Sequence, residues 1–224
     1  MPDDPQRTIL EGYAAGAREM VPRFEALRTE AVLGPVLDLL PALPCRALDL
    51  GAGTGRDAAW LARRGHRVLA VEPVEELRRA GEALHRLPRL EWLDDSLPAL
   101  TKTRMRDERF DLILCVGVWQ HLPAELHESA IAAIASLAAA GGRGILSLRH
   151  GPGAPGRPCF AADPDVVVAA AERAGLDLVA RRAADSVQPG NRAAGVTWTW
   201  LVFDRRVPSG AGRSSREAVS FPPA

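Results

Sequence analysis

Short apolar runs alternate with longer amphipathic segments along most of this 224-residue chain. Five of the runs have the length and composition of buried parallel strands, at 47–50, 67–71, 90–93, 110–116 and 144–148. The amphipathic segments are predicted to be helices, at 57–64, 74–87, 124–140 and 163–174. This alternation predicts an α/β fold in which a doubly wound, mostly parallel sheet carries helices on both faces.

Two further runs, 176–183 and 196–203, are predicted to be the last strands, with only a polar loop between them. A loop of this kind joins antiparallel neighbours, whereas parallel strands need a longer crossover. The prediction is therefore a Rossmann-like sheet of seven strands in which the last strand is antiparallel. Trp198 and Trp200 alternate in that strand, and we expect both to be packing residues on one face.

The segment that precedes the first strand has a helical pattern. Apolar residues recur at three- and four-residue steps over 8–40, and Pro22 and Pro35 are expected to break the helix. These helices either cover a ligand site as a lid or pack against one edge of the sheet.

The length and composition of the chain indicate one domain. We place this domain at 8–206, with the Rossmann-like core at 45–206. Residues 1–7 and 207–224 lack the pattern of a packed element, and the tail is rich in Ser, Gly, Arg and Pro, so both ends are expected to be disordered.

A glycine-rich turn follows the first predicted strand, with glycines at Gly51, Gly53 and Gly55. Residues without a Cβ let the backbone turn tightly and approach a ligand closely. A dinucleotide-binding turn needs glycine at the position that Arg56 occupies, so the spacing does not fit that class. Glu72 ends the second strand, where an acid accepts hydrogen bonds from ribose hydroxyls.

The turn and Glu72 resemble motif I, D/E-x-G-x-G-x-G, and the ribose-binding acid of class I S-adenosylmethionine (SAM) dependent methyltransferases. The resemblance implies SAM as the cofactor and S-adenosylhomocysteine as its product. It places the methionine end at the glycine turn and the ribose at Glu72. Asp57 agrees with this, because a carboxylate suits a ligand without phosphates. The binding residues implied here are Asp49, Gly51, Ala52, Gly53, Gly55, Arg56, Asp57, Glu72 and Pro73.

Two later segments are also similar to this family. After the third strand, the resemblance places the Asp95 carboxylate and the Ser96 N–H at the adenine; a solvated loop capped by Asp is the alternative. After the fourth strand, it places Val116, Val118 and Trp119 at the sulfonium end, where an aromatic face favours a cation.

Candidate catalytic residues follow the fifth strand directly. Arg149 is predicted to hold an anionic group of the acceptor, and His150 to remove a proton or to orient the acceptor. The alternative is a polar turn in which Arg149 bonds to a loop carbonyl. His121 and Tyr13 are further candidates; His121 alternatively holds a backbone carbonyl, and Tyr13 alternatively belongs to the core.

Composition narrows the range of partners. Lys plus Arg and Asp plus Glu number 28 each, so the charge does not indicate a nucleic-acid partner. Three cysteines without C-x-x-C spacing predict a reducing cytoplasm and no metal site. We find no membrane-span pattern and no signal peptide, and therefore expect a cytoplasmic protein. The expected acceptor is a small-molecule metabolite that carries an anionic group.

Two alternative functions also bind SAM but do not transfer its methyl group. The same fold supports cyclisation or transfer of another group from SAM, which would release methylthioadenosine. A non-catalytic subunit would bind SAM without turnover. The fold does not choose the acceptor, so oxygen, nitrogen and carbon all stay open as the methylated atom.

Overall fold

A seven-stranded sheet forms the centre of the protein in a computed structural model that describes residues 5–153 and 156–207. The strands are β1 (Arg46–Leu50), β2 (Arg67–Val71), β3 (Leu90–Leu93), β4 (Phe110–Cys115), β5 (Ala138–His150), β6 (Leu176–Asp185) and β7 (Thr197–Arg205). Their order across the sheet is β3-β2-β1-β4-β5-β7-β6. β7 is antiparallel to β5 and β6, and the pairs among β1 to β5 are parallel. The predicted sheet, including its antiparallel last strand, is confirmed.

Helices cover both faces of this sheet. They are α1 (Pro5–Glu25), α2 (Thr29–Val32), α3 (Arg56–Arg63), α4 (Glu75–Leu84), α5 (Thr101–Met105), α6 (His127–Leu137), α7 (Pro164–Arg173) and α8 (Pro189–Ala193). The described 3-10 helices lie at Gly34–Leu39, Trp119–His121 and Ala124–Leu126.

Side chains of the parallel strands alternate between two hydrophobic clusters, as the twofold periodicity of a strand requires. Leu48 belongs to a cluster with Ile134 of α6 and Val167 of α7. Its neighbour Ala47 belongs to a second cluster, with Leu61 of α3. Burial on both faces explains why these strands appear in the sequence as continuous apolar runs.

β5 begins earlier than the sequence pattern predicts, so the predicted helix at 124–140 is too long. α6 ends at Leu137, and Ala138 already has extended dihedral angles, φ −71° and ψ 133°. A Cβ on Gly142 would lie 2.7 Å from the carbonyl oxygen of Phe110, so glycine permits the close pairing of β5 with β4. Strand pairing thus overrides the helix propensity of the alanine-rich sequence.

α1 is longer than predicted at both ends. It begins at Pro5 and continues through Pro22, so the predictions of disorder over 5–7 and of a break at Pro22 are wrong. Proline removes one backbone donor, but apolar residues of α1 pack against Val74 and Leu77 at the start of α4, and this packing stabilises α1. The predicted disorder of 1–4 and 208–224 concerns residues outside the described ranges.

α1 lies over the carboxyl ends of the parallel strands and lines the main cavity there. α1 is therefore the cover that one interpretation of the N-terminal helices expects, whereas the 3-10 helix Gly34–Leu39 contacts β6 and β7 near the sheet edge, as the other interpretation expects. Among the described residues, no helix is both long enough and apolar enough to cross a membrane.

Candidate active site

A cavity of ≈ 410 Å³ opens at the carboxyl ends of β1, β2 and β4. This is the edge at which open parallel sheets bind their ligands. The glycine turn and Glu72 line one part of the cavity. Tyr13 of α1, His121 and Arg149 line another part. The fold therefore brings predicted cofactor residues and predicted catalytic residues into one space.

The three glycines of the turn have different roles, although all have a positive φ, of 65°, 59° and 76°. A Cβ on Gly51 would lie 2.4 Å from a methyl carbon of Val118. A Cβ on Gly55 would lie 2.5 Å from the Trp92 ring, and Gly55 does not line the cavity. Gly53 faces open space, with Phe24 the nearest contact at 3.7 Å. The prediction that Gly55 contacts the ligand is thus wrong, because this glycine accommodates Trp92.

Glu72 is bonded directly to the glycine turn. One carboxylate oxygen accepts the N–H of Gly53 at 2.7 Å, and the other accepts the N–H of Val74 at 2.9 Å. Burial raises the pKa of Glu72, and these two bonds oppose that shift. A carboxylate can accept about four hydrogen bonds, so half of that capacity is left for ligand hydroxyls. Pro73 follows in the cavity wall.

An acidic group surrounds the start of α3. Asp57 forms an ion pair with Arg56 at 2.7 Å and accepts the Thr29 hydroxyl at 2.7 Å. Burial raises the pKa of Asp49 well above its usual range; Asp57 and Glu72 add to the shift, and Arg56 opposes it. Three carboxyl groups, those of Asp49, Asp57 and Glu72, thus lie near the two guanidinium groups of Arg56 and Arg78, and this excess of carboxyl groups favours a cationic ligand at this end of the cavity.

Asp95 and Ser96 both line the cavity after β3. The Asp95 carboxylate accepts the N–H of Ser96 at 2.9 Å, and its other oxygen accepts the N–H of Thr103 at 2.7 Å. The carboxylate therefore holds its own loop, as the capped-loop alternative expects. Leu97 and Leu100 supply apolar surface beside it. Contact of this loop with an adenine stays a prediction.

One of the predictions for the turn after β4, that Trp119 lines the ligand site, is wrong. Val116 and Val118 line the cavity, and their contact with the sulfonium end stays a prediction, but Trp119 is fully buried in the core. Its ring packs against His127, with 5.0 Å between the ring centroids. The 3-10 helix Trp119–His121 turns this side chain away from the cavity and turns the next two residues toward it.

Tyr13 and His121 meet across the cavity. The Tyr13 hydroxyl lies 2.9 Å from His121 Nε2, and the rings contact edge to face at 5.4 Å. His121 Nδ1 lies 3.1 Å from the carbonyl oxygen of Pro158. A carbonyl only accepts hydrogen bonds, so Nδ1 carries the proton and Nε2 presents its lone pair to the tyrosine. His121 thus holds the backbone carbonyl of Pro158, as its alternative interpretation expects. It also presents its other ring nitrogen toward the cavity.

Burial shifts the pKa of both Tyr13 and His121. It raises the pKa of Tyr13 above its ordinary value. Burial also lowers the pKa of His121 and outweighs the opposing bond to Pro158, with smaller contributions in the lowering direction from Arg157 and Arg149. His121 is therefore neutral at pH 7 and able to accept a proton, while Tyr13 keeps its own.

Arg149 and His150 lie on opposite faces of the sheet. β5 extends to His150, two residues beyond the predicted end, and consecutive strand residues point to opposite faces. Arg149 lines the cavity and donates to Asn191 Oδ1 at 3.4 Å and to the carbonyls of Gly151 and Pro152. His150 does not line the cavity, and its Nε2 lies 2.8 Å from the Thr199 hydroxyl. The prediction that His150 acts on the acceptor is wrong.

The sequence interpretation missed residues that line the same cavity. Trp198 and Trp200 pair with Arg149 and Ser147 across β5 and β7, so the four side chains share the cavity face. The alternation of the tryptophans predicted one common face but not which face. Arg157 also lines the cavity, with its guanidinium carbon 4.9 Å from the centre of the Tyr13 ring.

Comparison with known proteins agrees with this architecture. Residues 47–142 match the family model described as a methyltransferase domain. The Burkholderia thailandensis 1,6-didemethyltoxoflavin-N1-methyltransferase, solved with 1,6-didemethyltoxoflavin and S-adenosylhomocysteine, is 22% identical, with 92% of each chain covered and a TM-score of 0.68. A TehB-like SAM-dependent methyltransferase from Corynebacterium glutamicum is 23% identical, with 91% of this chain and 100% of that chain covered and a TM-score of 0.61.

A third solved structure is a magnesium protoporphyrin IX methyltransferase from Synechocystis with bound SAM. It is 19% identical, with 92% of this chain and 85% of that chain covered and a TM-score of 0.58. The comparison with curated proteins gave no match. The family match spans the glycine turn, Glu72 and the turn after β4. The matched segment is thus similar to a methyltransferase domain, and the whole chain shares the fold of the compared methyltransferase structures.

Proposed function

We propose that this protein is a class I SAM-dependent methyltransferase and that it transfers the methyl group of SAM to a small-molecule metabolite. The observation that carries the proposal is the single cavity in which the glycine turn with Glu72 and the Tyr13–His121 pair occur together. α1 lines both parts, so the reaction space is a cleft that the protein partly closes. Such a space accommodates a compact acceptor better than a folded macromolecule.

The residues at the glycine turn fit SAM. Gly53 leaves room for close approach of a ligand, because even an added Cβ would lie 3.7 Å from its nearest neighbour. Glu72 has acceptor capacity for ribose hydroxyls. The buried carboxyl group of Asp49, with Asp57 nearby, complements the positive charges of the methionine end. We assign the adenine to the loop of Asp95 and Ser96.

When bound, SAM supplies a methyl group on a positively charged sulfur. The chain's own contribution at the other end is placement, because a fixed acceptor geometry removes much of the entropic barrier. His121 Nε2 accepts a proton wherever the acceptor atom carries one. Arg149 and Arg157 supply positive charge to an anionic group of the acceptor.

Two further observations support a small acceptor. Positive and negative residues balance at 28 each, which gives no electrostatic footprint for a nucleic acid. Two of the compared structures bear the names of methyltransferases of small molecules, 1,6-didemethyltoxoflavin and magnesium protoporphyrin IX. At 22% and 19% identity, they support the chemical class and not a particular acceptor.

The direct test is incubation of the protein with methyl-labelled SAM and a fractionated metabolite extract, followed by mass spectrometry. We expect label in a small molecule together with S-adenosylhomocysteine. Glu72→Ala should abolish most of the transfer, whereas Glu75→Ala, at an exposed position of α4, is the matched control. Label only in protein or nucleic acid, or release of methylthioadenosine, would contradict the proposal.

A further inference from the structure

Two arginines of the cavity lining, Arg149 and Arg157, carry charges that the protein does not neutralise. Arg149 donates to two loop carbonyls and to Asn191 Oδ1. Arg157 donates to Met20 Sδ at 2.9 Å and to the Tyr13 hydroxyl. These acceptors are neutral, and within the described ranges neither guanidinium forms an ion pair with a carboxylate. Because a guanidinium is always charged in a protein, this wall holds two positive charges without a counter-ion.

The two guanidinium groups belong to one part of the cavity, around the Cys159 thiol. Arg149 is hydrogen-bonded to this thiol, and Arg157 precedes it by two residues. A Cβ on Gly153 would lie 3.2 Å from Cys159 Sγ and 3.1 Å from the carbonyl oxygen of Arg157, so the loop after β5 packs against the segment that carries Arg157. Burial raises the pKa of Cys159, so the thiol stays neutral and does not supply the missing negative charge.

The carboxyl groups of the cavity lie elsewhere. Asp49, Asp57 and Glu72 are grouped at the glycine turn, Asp95 follows β3, and Asp185 ends β6. None of these five forms an ion pair with either arginine. The cavity therefore favours positive charge at the glycine turn and negative charge at the two arginines, as electrostatic complementarity to its ligands requires.

An indole adjoins the arginines. Trp198 lies opposite Arg149 in the register of β5 and β7, and both side chains line the cavity. Residues paired in this way have Cβ atoms about 4.5–5.5 Å apart. The Trp198 side chain is partly exposed, and a planar ring gains stacking contact with an indole in addition to burial. A ligand whose anionic group is attached directly to a planar ring can therefore contact Arg149 and Trp198 at the same time.

The loop beside Arg149 favours one kind of anion. It turns the carbonyl oxygens of Gly151 and Pro152, and not their N–H groups, toward the guanidinium. Phosphate sites typically surround their oxygens with backbone N–H groups, whereas a carboxylate has only two oxygens and matches the planar donors of a guanidinium. The site thus suits a carboxylate better than a phosphate.

Resting on the proposed function, we propose that the methyl acceptor is an aromatic or heteroaromatic carboxylic acid. Its carboxylate binds between Arg149 and Arg157, and its ring lies against Trp198. Hydrogen bonds to two guanidinium groups make the carboxylate oxygens poor nucleophiles, so the methyl group goes to another atom of the acceptor and the product keeps a free carboxylate.

The binding test uses the protein loaded with S-adenosylhomocysteine and probe pairs that differ mainly in charge. The pairs are benzoate with benzamide and indole-2-carboxylate with indole-2-carboxamide. Ligand-observed NMR at neutral pH gives their relative affinities. We expect each carboxylate to bind about 10-fold more tightly than its amide, as hydrogen bonds to a charged group imply. Equal binding of acid and amide would overturn the inference.

Two further probes test the ring and the choice of anion. Cyclohexanecarboxylate keeps the charge without a planar ring, and phenyl phosphate keeps the ring with a tetrahedral anion. We expect both to bind more weakly than benzoate. Cyclohexanecarboxylate binding as tightly as benzoate would overturn the assignment of the ring to Trp198, and tighter binding of phenyl phosphate would overturn the carboxylate.

Arg149→Gln and Arg157→Gln should each reduce the preference for the acid over the amide, while calorimetry shows unchanged affinity for S-adenosylhomocysteine. Arg149→Met and Arg157→Met replace any glutamine variant that does not fold. Arg23→Gln is the matched control, because Arg23 also lines the cavity but follows Tyr13 by ten residues, about 15 Å along α1. A preference that is retained in both the Arg149 and the Arg157 variants would overturn the inference.

The products found with labelled SAM separate this inference from the proposed function. We expect label in an aromatic compound with a free carboxylate. Label in a methyl ester, or in a small molecule without a carboxylate, would overturn the inference and leave the proposed function standing. Absence of transfer to any small molecule, with S-adenosylhomocysteine still bound, would refute the proposed function.

Discussion

Gly53 is the residue at which the cofactor assignment is most directly testable. An added Cβ there would lie 3.7 Å from Phe24, its nearest neighbour, so loss of binding in a folded variant would report a collision with the ligand. We expect Gly53→Val to remain folded and to show no measurable S-adenosylhomocysteine binding in calorimetry. Gly195→Val is the matched control, because Gly195 also has a positive φ, of 73°, and open space around it. Unchanged affinity in a folded Gly53→Val protein would remove the glycine turn from the site.

Asp49 is expected to make SAM binding depend on pH. Burial raises the pKa of this carboxyl in the free protein, whereas a cationic ligand favours its ionised form. Binding should therefore release a proton, and affinity should increase with pH until the pH exceeds the raised pKa. Calorimetry in two buffers of different ionisation enthalpy counts that proton. Asp49→Asn should abolish the release; equal release from the variant would assign the proton to another group.

Substitutions of Arg149 and His150 test whether these two neighbouring residues face opposite sides of the sheet. Arg149 faces the cavity and His150 faces away. For an anionic acceptor, Arg149→Ala should lower kcat/KM by about 10- to 100-fold, the range of a charge-assisted hydrogen bond, with unchanged affinity for S-adenosylhomocysteine. His150→Ala should leave both quantities at the wild-type level. A larger loss in His150→Ala would contradict the assignment of faces.

At the scale of elements, the sequence predicts the sheet better than the site. Apolar runs and glycine turns identify strands and the ligand edge, because burial and backbone conformation leave strong local signals. The orientations of Trp119 and His150 were not predictable, since a shift of one residue in a turn or strand end reverses the direction of a side chain. Arg157 reaches the cavity only through tertiary packing near α1, and no local pattern indicates this.

α1 is attached to the rest of the site by Glu25. Its carboxylate accepts the hydroxyl of Thr54 in the glycine turn and lies 3.2 Å from His85 Nε2 after α4. Burial opposes ionisation of Glu25, but the bonds to His85 and Thr54 outweigh it and lower its pKa. A lowered carboxyl pKa adds stability that is present above the ordinary value of 4.5 and is lost as the pH falls through the folded-state pKa.

Glu25→Gln should therefore destabilise the protein at pH 7 by about 1 kcal/mol, and the difference should vanish in acid, below the folded-state pKa. Urea unfolding at several pH values measures this. Glu19→Gln, at an exposed position of the same helix, is the matched control. A difference that persists after Glu25 is protonated would mean that packing, and not the carboxylate, attaches α1.

At the scale of the whole molecule, one cavity connects the sheet edge to the helix that covers it. The glycine turn, Glu72 and α1 all line this cavity, so a ligand bound there touches elements that are far apart in sequence. Ligand binding to the folded state alone stabilises a protein by about 2.7 kcal/mol at a concentration 100 times its dissociation constant.

We expect S-adenosylhomocysteine to slow amide exchange in the glycine turn, around Glu72 and in α1. β6, at the edge of the sheet, should exchange at an unchanged rate under conditions of local opening, because its strand residues lie outside the cavity lining except at Asp185. Hydrogen exchange with mass spectrometry reports each segment separately. If S-adenosylhomocysteine slows exchange in the glycine turn but not in α1, the helix does not contact the bound ligand. If it slows exchange in both segments, and this effect is lost in Gly53→Val, the ligand lies between the sheet edge and the helix.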